Sequence, residues 1–402
     1  MRSTLAPDLV FSLLSWYDAG KREFPWRDHP DPYAVLVSEF MLQQTTVQAV
    51  IPYFDRWMST YPTVKDLAAA ELDEVLLQWE GLGYYSRARN LHAAAGEIIA
   101  SYGGKVPGTP VDLKKLPGIG EYTAAAVASI AFGVRAPALD ANNLRVWSRL
   151  LTSSDKKRID KVFARVIPAD RPGDFNQALM DLGSSVCTPK NPDCPVCPLA
   201  DWCRAYRTGT VSEYPQKKAR PDTTHIEAAI GIIVRDGMVL VQRRADTGLM
   251  AGLWEFPGGK IRKAIRGGEG AHGSVGEKAR RGETGKRGHG EITGVGVSEC
   301  RRIGEKSSKL KAETPEEAVL HEVLEETGLT VQVCEKLGVF NHAYTRFRVK
   351  LHVFICKRKA GTVHNPTAKW VTLGELEGLA MPSVNRRIVK RLEERLKADF
   401  VD

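Results

Sequence analysis

The chain has 402 residues, 43% hydrophobic, 26% charged and 8% aromatic, a globular composition long enough for two or three domains with substantial cores. No apolar run approaches the about 18 residues of a membrane-spanning helix, and Pro7 and Asp8 break the N-terminus before a signal-peptide core forms, so a cytoplasmic protein is expected. The net charge of +9 is concentrated in 261–312, which holds 13 Lys/Arg against 6 Asp/Glu and 12 of the 36 glycines, so a nucleic-acid reading has to come from motifs rather than bulk charge.

From residue 5 to about 207 apolar residues recur at helical spacing, as in 35–50, 72–79, 87–101 and 122–132. Pro/Gly turns at Asp31-Pro32, Tyr61-Pro62, Gly103-Gly104 and Val106-Pro107 separate them. The polar stretch 209–224 reads as a linker. Beyond it, 226–235 and 239–243 are β-rich runs around Asp236-Gly237, a hairpin signal. A further strand is expected over 349–356 and a closing amphipathic helix over 384–397. The fold class expected is therefore multidomain: an all-α half over 1–208, then an α+β domain over 225–402. The Gly-rich, basic 261–312 has little to bury and is expected to be disordered.

Four features of the helical half carry chemistry. Cys187, Cys194, Cys197 and Cys203 lie within 17 residues, with gaps of six, two and five. Four thiolates so close suit a tetrahedral zinc or an iron–sulfur cubane, and spacing leaves both open. The turn Leu116-Pro117-Gly118-Ile119-Gly120 opens an apolar helix. Gly118 and Gly120 allow backbone N–H groups to approach a DNA phosphate, or simply form a tight turn. Asp140, in Leu139-Asp140-Ala141-Asn142, is either a cap for the next helix or a working carboxylate. Glu39 sits inside the apolar Leu36-Val37-Ser38-Glu39-Phe40-Met41, where an unpaired carboxylate is costly and burial would raise its pKa. An acid and a charge stabiliser are what cleavage of a glycosidic bond needs.

These features occur in order with Gly81-Leu82-Gly83-Tyr84-Tyr85-Ser86-Arg87. Together they closely resemble the MutY-type adenine DNA glycosylases of the helix-hairpin-helix superfamily, over nearly all of residues 5–207. The resemblance implies a [4Fe-4S] cluster on the four cysteines and a two-lobed glycosylase with duplex DNA between the lobes. It also implies removal of adenine mispaired with 8-oxoguanine or guanine after the base is flipped out. Glu39 would protonate adenine N7 and help position water, and Asp140 would stabilise the oxocarbenium-like sugar. Asn142 and Tyr122 would complete the catalytic set. Related endonuclease III-like enzymes carry a lysine where Tyr122 stands, and a tyrosine cannot form their Schiff base, so base removal without strand cleavage is expected. Gln44 and Tyr84 match side chains that wedge into the base stack. Trp26, Arg27 and Gln177 match the adenine pocket. By the same resemblance the protein is of bacterial type, monomeric and nucleoid-associated.

In the C-terminal domain, Gly258-Gly259, Glu313 and His321-Glu322-Val323-Leu324-Glu325-Glu326-Thr327-Gly328 resemble a Nudix box. Its glutamates are spaced to share a helix face, as Mg²⁺ binding requires, so a nucleotide hydrolase is the competing reading. Against it, histidine stands where the pattern has arginine, and 261–312 displaces the glycine. In MutY-type proteins such a domain reads 8-oxoguanine instead. The reading loop aligns with Tyr344-Thr345-Arg346, where arginine replaces the usual histidine, so Tyr344 and Thr345 are the expected lesion contacts.

Overall fold

The computed structural model describes residues 5–27, 31–216, 222–248, 250–262, 313–344 and 346–398. The expected disorder of 261–312 (from residue 263 onward) and the reading-loop residue Thr345 lie outside the described residues.

The first half is helical: α1 (Leu5–Gly20), α2 (Pro32–Leu42), α3 (Val47–Thr60), α4 (Val64–Ala69), α5 (Leu72–Gln78), α6 (Ser86–Tyr102), α7 (Pro110–Leu113), α8 (Glu121–Phe132), α9 (Ala141–Leu151), α10 (Lys156–Val166), α11 (Pro172–Ser185) and α12 (Arg204–Arg207). Local chemistry sets the starts. Asp31, Thr63, Thr109, Asp140 and Asp155 each accept a backbone N–H from the turn that follows, and prolines open α2, α7 and α11, where a missing N–H costs nothing. One expected helix is two. The periodicity across 35–50 is interrupted after Leu42, and Gln44 turns the chain with φ +59°, a left-handed step that apolar spacing does not register.

These helices bury two cores. One gathers α2 to α8 around Phe40, Met41, Trp57 and Trp79. The other joins α1 to α9, α10 and α11 around Leu13, Trp147, Phe163 and Phe175. The chain starts in the second lobe, builds the first and returns. Where the lobes meet, a Cβ on Gly173 would come within 2.6 Å of the Ser129 carbonyl, so only glycine lets α11 lie this close to α8.

The second half consists of β1 (Thr224–Arg235), β2 (Met238–Arg243), β3 (Trp254–Glu255), β4 (Gly258–Lys260), α13 (Pro315–Thr327), β5 (Leu329–Tyr344), β6 (Phe347–Gly361), β7 (Ala368–Thr372) and α14 (Ser383–Ala398). The strands form one sheet in the order β3-β2-β1-β6-β5, with β4 beside β1 and β7 beside β2. β1 and β6 run parallel. The β1–β2 turn has φ +51° at Asp236 and +75° at Gly237, the paired positive values that suit a two-residue hairpin. Ala318, Val319 and Val323 of α13 cover one sheet face, and Val384, Ile388 and Leu392 of α14 the other. The expected reading loop, Tyr344 to Arg346, follows directly on a strand. Phe340 to Tyr344 pair in register with Leu351 to Phe347, so the segment is largely strand, and Tyr344 stands at the tip of a long hairpin.

Candidate active site

A cleft of about 170 Å³ opens between the two helical lobes. It brings together Glu39, Tyr122, Asp140, Asn142, Trp26, Arg27 and Gln177, seven of the residues singled out from sequence. Each comes from a different local device. Residues 33–41 of α2 are all buried, so that helix has no solvent face and Glu39 is only 5% exposed. Tyr122 stands in the first turn of α8, directly after the glycine turn. Asp140 is the N-cap of α9, its Oδ1 accepting the Asn143 N–H at 2.6 Å. Asp140 therefore caps α9 and also lines the cleft.

The electrostatics separate the two carboxyls. Burial pushes Glu39 up to about 7, an effect increased by nearby Asp140 and opposed by a hydrogen bond from Tyr122 and by Arg27. Its Oε2 is buried without a hydrogen-bond partner, and the carboxyl lines the cleft. Burial also raises Asp140, but the Asn143 and Asn142 N–H groups and Arg145 counteract it. Burial, then Glu39, hold the Tyr122 phenol far above its ordinary value, so it remains a donor. The site thus offers one carboxyl poised to hold a proton near neutrality and a second, raised by burial to a lesser extent, whose anionic form backbone N–H groups and Arg145 favour.

Sequence reasoning missed Asp181. It is 2% exposed and pairs with both Arg22 and Arg27, the latter at 2.8 Å. Arg27 is thereby held in the wall of the cleft with its Nε lacking a partner. The available signal was the four-residue step from Gln177 to Asp181, one face of α11. The remaining sequence-selected residues lie elsewhere. Gly118 has φ +76°, and a Cβ there would meet Asn90 Cβ at 2.6 Å; Gly120 is the N-cap of α8. Gln44 is exposed on the turn after α2. Tyr84 and Tyr344 line a separate cavity of about 290 Å³, formed between the helical half and the sheet domain with Arg89, Met250 and His342.

Cys187, Cys194, Cys197 and Cys203 ring one hollow beside α9. Four thiols lining one hollow are a donor set that suits a metal centre. Burial pushes the Cys197 thiol up to about 12 and raises Cys194 and Cys203, so bound metal is what would keep them as thiolates. Buried Arg149 donates to Cys187 Sγ at 3.2 Å, which suits an anionic ligand set. Arg145 bridges this loop to the cleft, donating to the Cys187 carbonyl at 2.7 Å and to Asn142 Oδ1 at 2.8 Å.

The Nudix-like glutamates have protein partners. Glu326 Oε2 accepts the Gly258 N–H at 2.9 Å and Gln242 Nε2 at 2.5 Å. Arg262 pairs with Glu325 at 2.9 Å, and His321 with Glu313 at 2.8 Å. A Cβ on Gly259 would fall 2.0 Å from Glu322 Oε2, so that carboxylate packs directly on the glycine.

Three family models match: the HhH-GPD superfamily base excision DNA repair protein over 37–168, the iron–sulfur binding domain of endonuclease III over 187–203, and a NUDIX domain over 305–391. Fold and site define a helix-hairpin-helix base-excision repair protein with a [4Fe-4S] cofactor and a Nudix-like domain. The chain is 35% identical over 258 residues to the adenine DNA glycosylase of Buchnera aphidicola subsp. Schizaphis graminum (strain Sg), covering 62% of this chain and 74% of that one. Over 61% of this chain it is 37% identical to the Homo sapiens and 38% identical to the Arabidopsis thaliana adenine DNA glycosylases, covering 56% and 46% of their lengths. It therefore belongs to the adenine DNA glycosylase family, although it spans only about half the length of those longer relatives. No described helix is long and apolar enough to cross a membrane.

Proposed function

We propose that this protein removes adenine mispaired with 8-oxoguanine or guanine from duplex DNA by hydrolysing its N-glycosidic bond, acting as a monomer and leaving the strand uncut. The observation that carries the reading is the pair of carboxyls in the interlobe cleft, buried Glu39 with a raised pKa and an unpartnered Oε2, and half-buried Asp140 on a helix N-terminus. The target carbon is unreachable in stacked duplex, so the adenine must first leave the helix and enter the cleft. Protonated Glu39 gives its proton to adenine N7, and the C1′–N9 bond breaks with its electron pair leaving on the base. Asp140, whose anionic form the N–H groups of Asn142 and Asn143 favour against burial, stabilises the resulting oxocarbenium-like sugar. A water then adds its oxygen to C1′ and returns a proton to Glu39. Tyr122 holds the Glu39 carboxyl by its hydrogen bond, and as a phenol it offers no amine for a Schiff base. Trp26, Arg27 and Gln177 hold the flipped base, while Gln44 and Tyr84 occupy the space it vacates. Gly118 and Gly120 present backbone N–H groups to a phosphate. The four cysteines hold the cluster, which when bound ties the 187–203 loop against α9. Tyr344, which lines the interdomain cavity, reads the opposite base together with Thr345. Such a protein works beside the nucleoid in the cytoplasm.

The test is single-turnover base release from duplexes with adenine opposite 8-oxoguanine, guanine or thymine, with Glu39→Gln alongside. Adenine release fastest opposite 8-oxoguanine and lost by at least about 100-fold in the variant is expected, the scale of positioned acid catalysis. No release from any duplex by protein with an intact cluster would overturn the reading and favour the Nudix-like hydrolase, whose mark would be Mg²⁺-dependent phosphate release.

A further inference from the structure

Arg87, in the first turn of α6, is a buried arginine whose bonds are all to neutral groups. Its Nη1 donates to the carbonyls of Phe40 (3.0 Å), Met41 (2.7 Å) and Gln43 (2.6 Å). Its Nη2 donates to the carbonyls of Leu82 (3.1 Å) and Gly83 (3.0 Å) and to Thr45 Oγ1 (3.1 Å). The guanidinium also lies 5.1 Å from the Trp79 ring centroid and 5.6 Å from that of Tyr84. One cation therefore closes two separate turns, 40–45 and 82–84. Its charge is met by the carbonyls at the C-terminal end of α2, where the helix dipole is negative.

Each turn presents one side chain from a strained backbone. Gln44 has φ +59° and Tyr84 φ +48°, values that non-glycine residues hold only where surrounding contacts impose them. Gln44 is exposed and Tyr84 is 43% exposed. The first turn is also the end of the helix that carries Glu39. A planar fork of donors can bridge both sets of carbonyls at once, whereas a lysine ammonium supplies a single point with three donors.

We propose that Arg87 is a positioning residue that locks the Gln44 and Tyr84 turns into one rigid wedge, so that insertion into the base stack and presentation of the flipped adenine to Glu39 occur as a single step. This rests on the reading of Gln44 and Tyr84 as the residues that fill the stack.

A mutant cycle tests it, because residues acting as one unit give non-additive losses. Single-turnover adenine release would be measured for wild type, Arg87→Lys, Gln44→Ala/Tyr84→Ala and all three changes together, with thermal melting and cluster absorbance as checks of folding. Arg87→Lys is expected to slow release by about 30-fold or more in the wild-type background. In the Gln44→Ala/Tyr84→Ala background the same change is expected to cost less than about threefold. Thr45→Val removes one of the six hydrogen bonds while keeping the side chain's shape, so it serves if Arg87→Lys does not fold. Its smaller loss should shrink with Gln44→Ala and with Tyr84→Ala alike, and a loss that persists in full in either background would overturn the proposal. Equal losses in both backgrounds would overturn the proposal, since they would mean that Arg87 serves the fold or Glu39 independently of the wedge. If Gln44→Ala/Tyr84→Ala does not itself slow release, the wedge reading and this proposal fall together. Absence of release by wild type would instead overturn the function.

Discussion

Glu39 lies one turn from the end of a helix with buried side chains on every side, so its carboxyl is shielded from bulk water and faces the cleft. Its folded pKa of about 7 lies above the ordinary 4.5, so the folded protein holds a proton that the unfolded chain releases. Stability from this group is complete below about 4.5 and is lost as pH rises through about 7; the ionised form costs up to about 3 kcal/mol at 1.36 kcal/mol per pKa unit. Glu39→Gln mimics the protonated form. It is expected to melt close to wild type at pH 4.5 but roughly 5–10 °C above it at pH 8, while wild-type base release falls as pH rises past 7. A melting difference that stays constant across that range would sink the linkage. Glu39 was legible in the sequence because a lone carboxylate in an apolar helix has few bland explanations. Asp181 and Arg87 were not, because charged residues in mixed helices usually face water, and only the fold reveals that these two do not.

At the level of elements, the signals that worked were local: caps, prolines, helical spacing and the Asp236-Gly237 hairpin. Of the long β5–β6 hairpin only 349–356, within β6, was read as strand; β5 escaped because its alternation is broken by register shifts near Thr330, Val333 and Lys336. The Nudix-like motif was legible but split. Its two pieces are rejoined where the Arg262 N–H donates to Glu313 Oε2 at 3.0 Å and the Glu313 N–H donates to the Arg262 carbonyl at 3.2 Å. The chain therefore leaves and re-enters the domain at one point. Replacing 263–312 by a short Gly-Ser bridge is expected to leave adenine release within about twofold of the full chain. It should raise stability by up to about 2 kcal/mol, since each halving of a loop recovers about 0.6 kcal/mol of closure entropy. Calorimetry showing loss of the C-terminal transition would refute this.

At the scale of the molecule, the sheet domain is docked on the helical half beside the wedge turn. Glu80, at the end of that half's α5 region, forms an ion pair with Arg386 of α14 and accepts the Met381 N–H at 3.2 Å. Tyr85 donates its hydroxyl to the Met381 carbonyl at 3.1 Å. Arg243 reaches Asp73 at 2.7 Å, Arg89 donates to the Ala251 carbonyl, and Leu253 and Ala380 join the core of the first helical lobe. These contacts sit directly behind the cavity that holds Tyr84 and Tyr344 together. None was legible in the sequence, because each pairs residues more than 150 positions apart whose separate neighbourhoods look ordinary. Arg386 also donates to the Leu376 carbonyl at 2.7 Å, so it stays anchored in its own domain when Glu80 is changed. Glu80→Gln should therefore loosen docking by about 1.5–3 kcal/mol, the range for hydrogen bonds to a charged group, without unfolding either half. If the sheet domain reads the opposite base as proposed, the cost falls on that reading rather than on chemistry at Glu39. Adenine release opposite guanine is expected to remain within about twofold of wild type, while release opposite 8-oxoguanine falls about 10-fold toward it, as 1.4 kcal/mol is tenfold. Equal slowing on both duplexes would show that the interface supports catalysis as a whole, and no slowing on either would show that lesion reading does not depend on this docking.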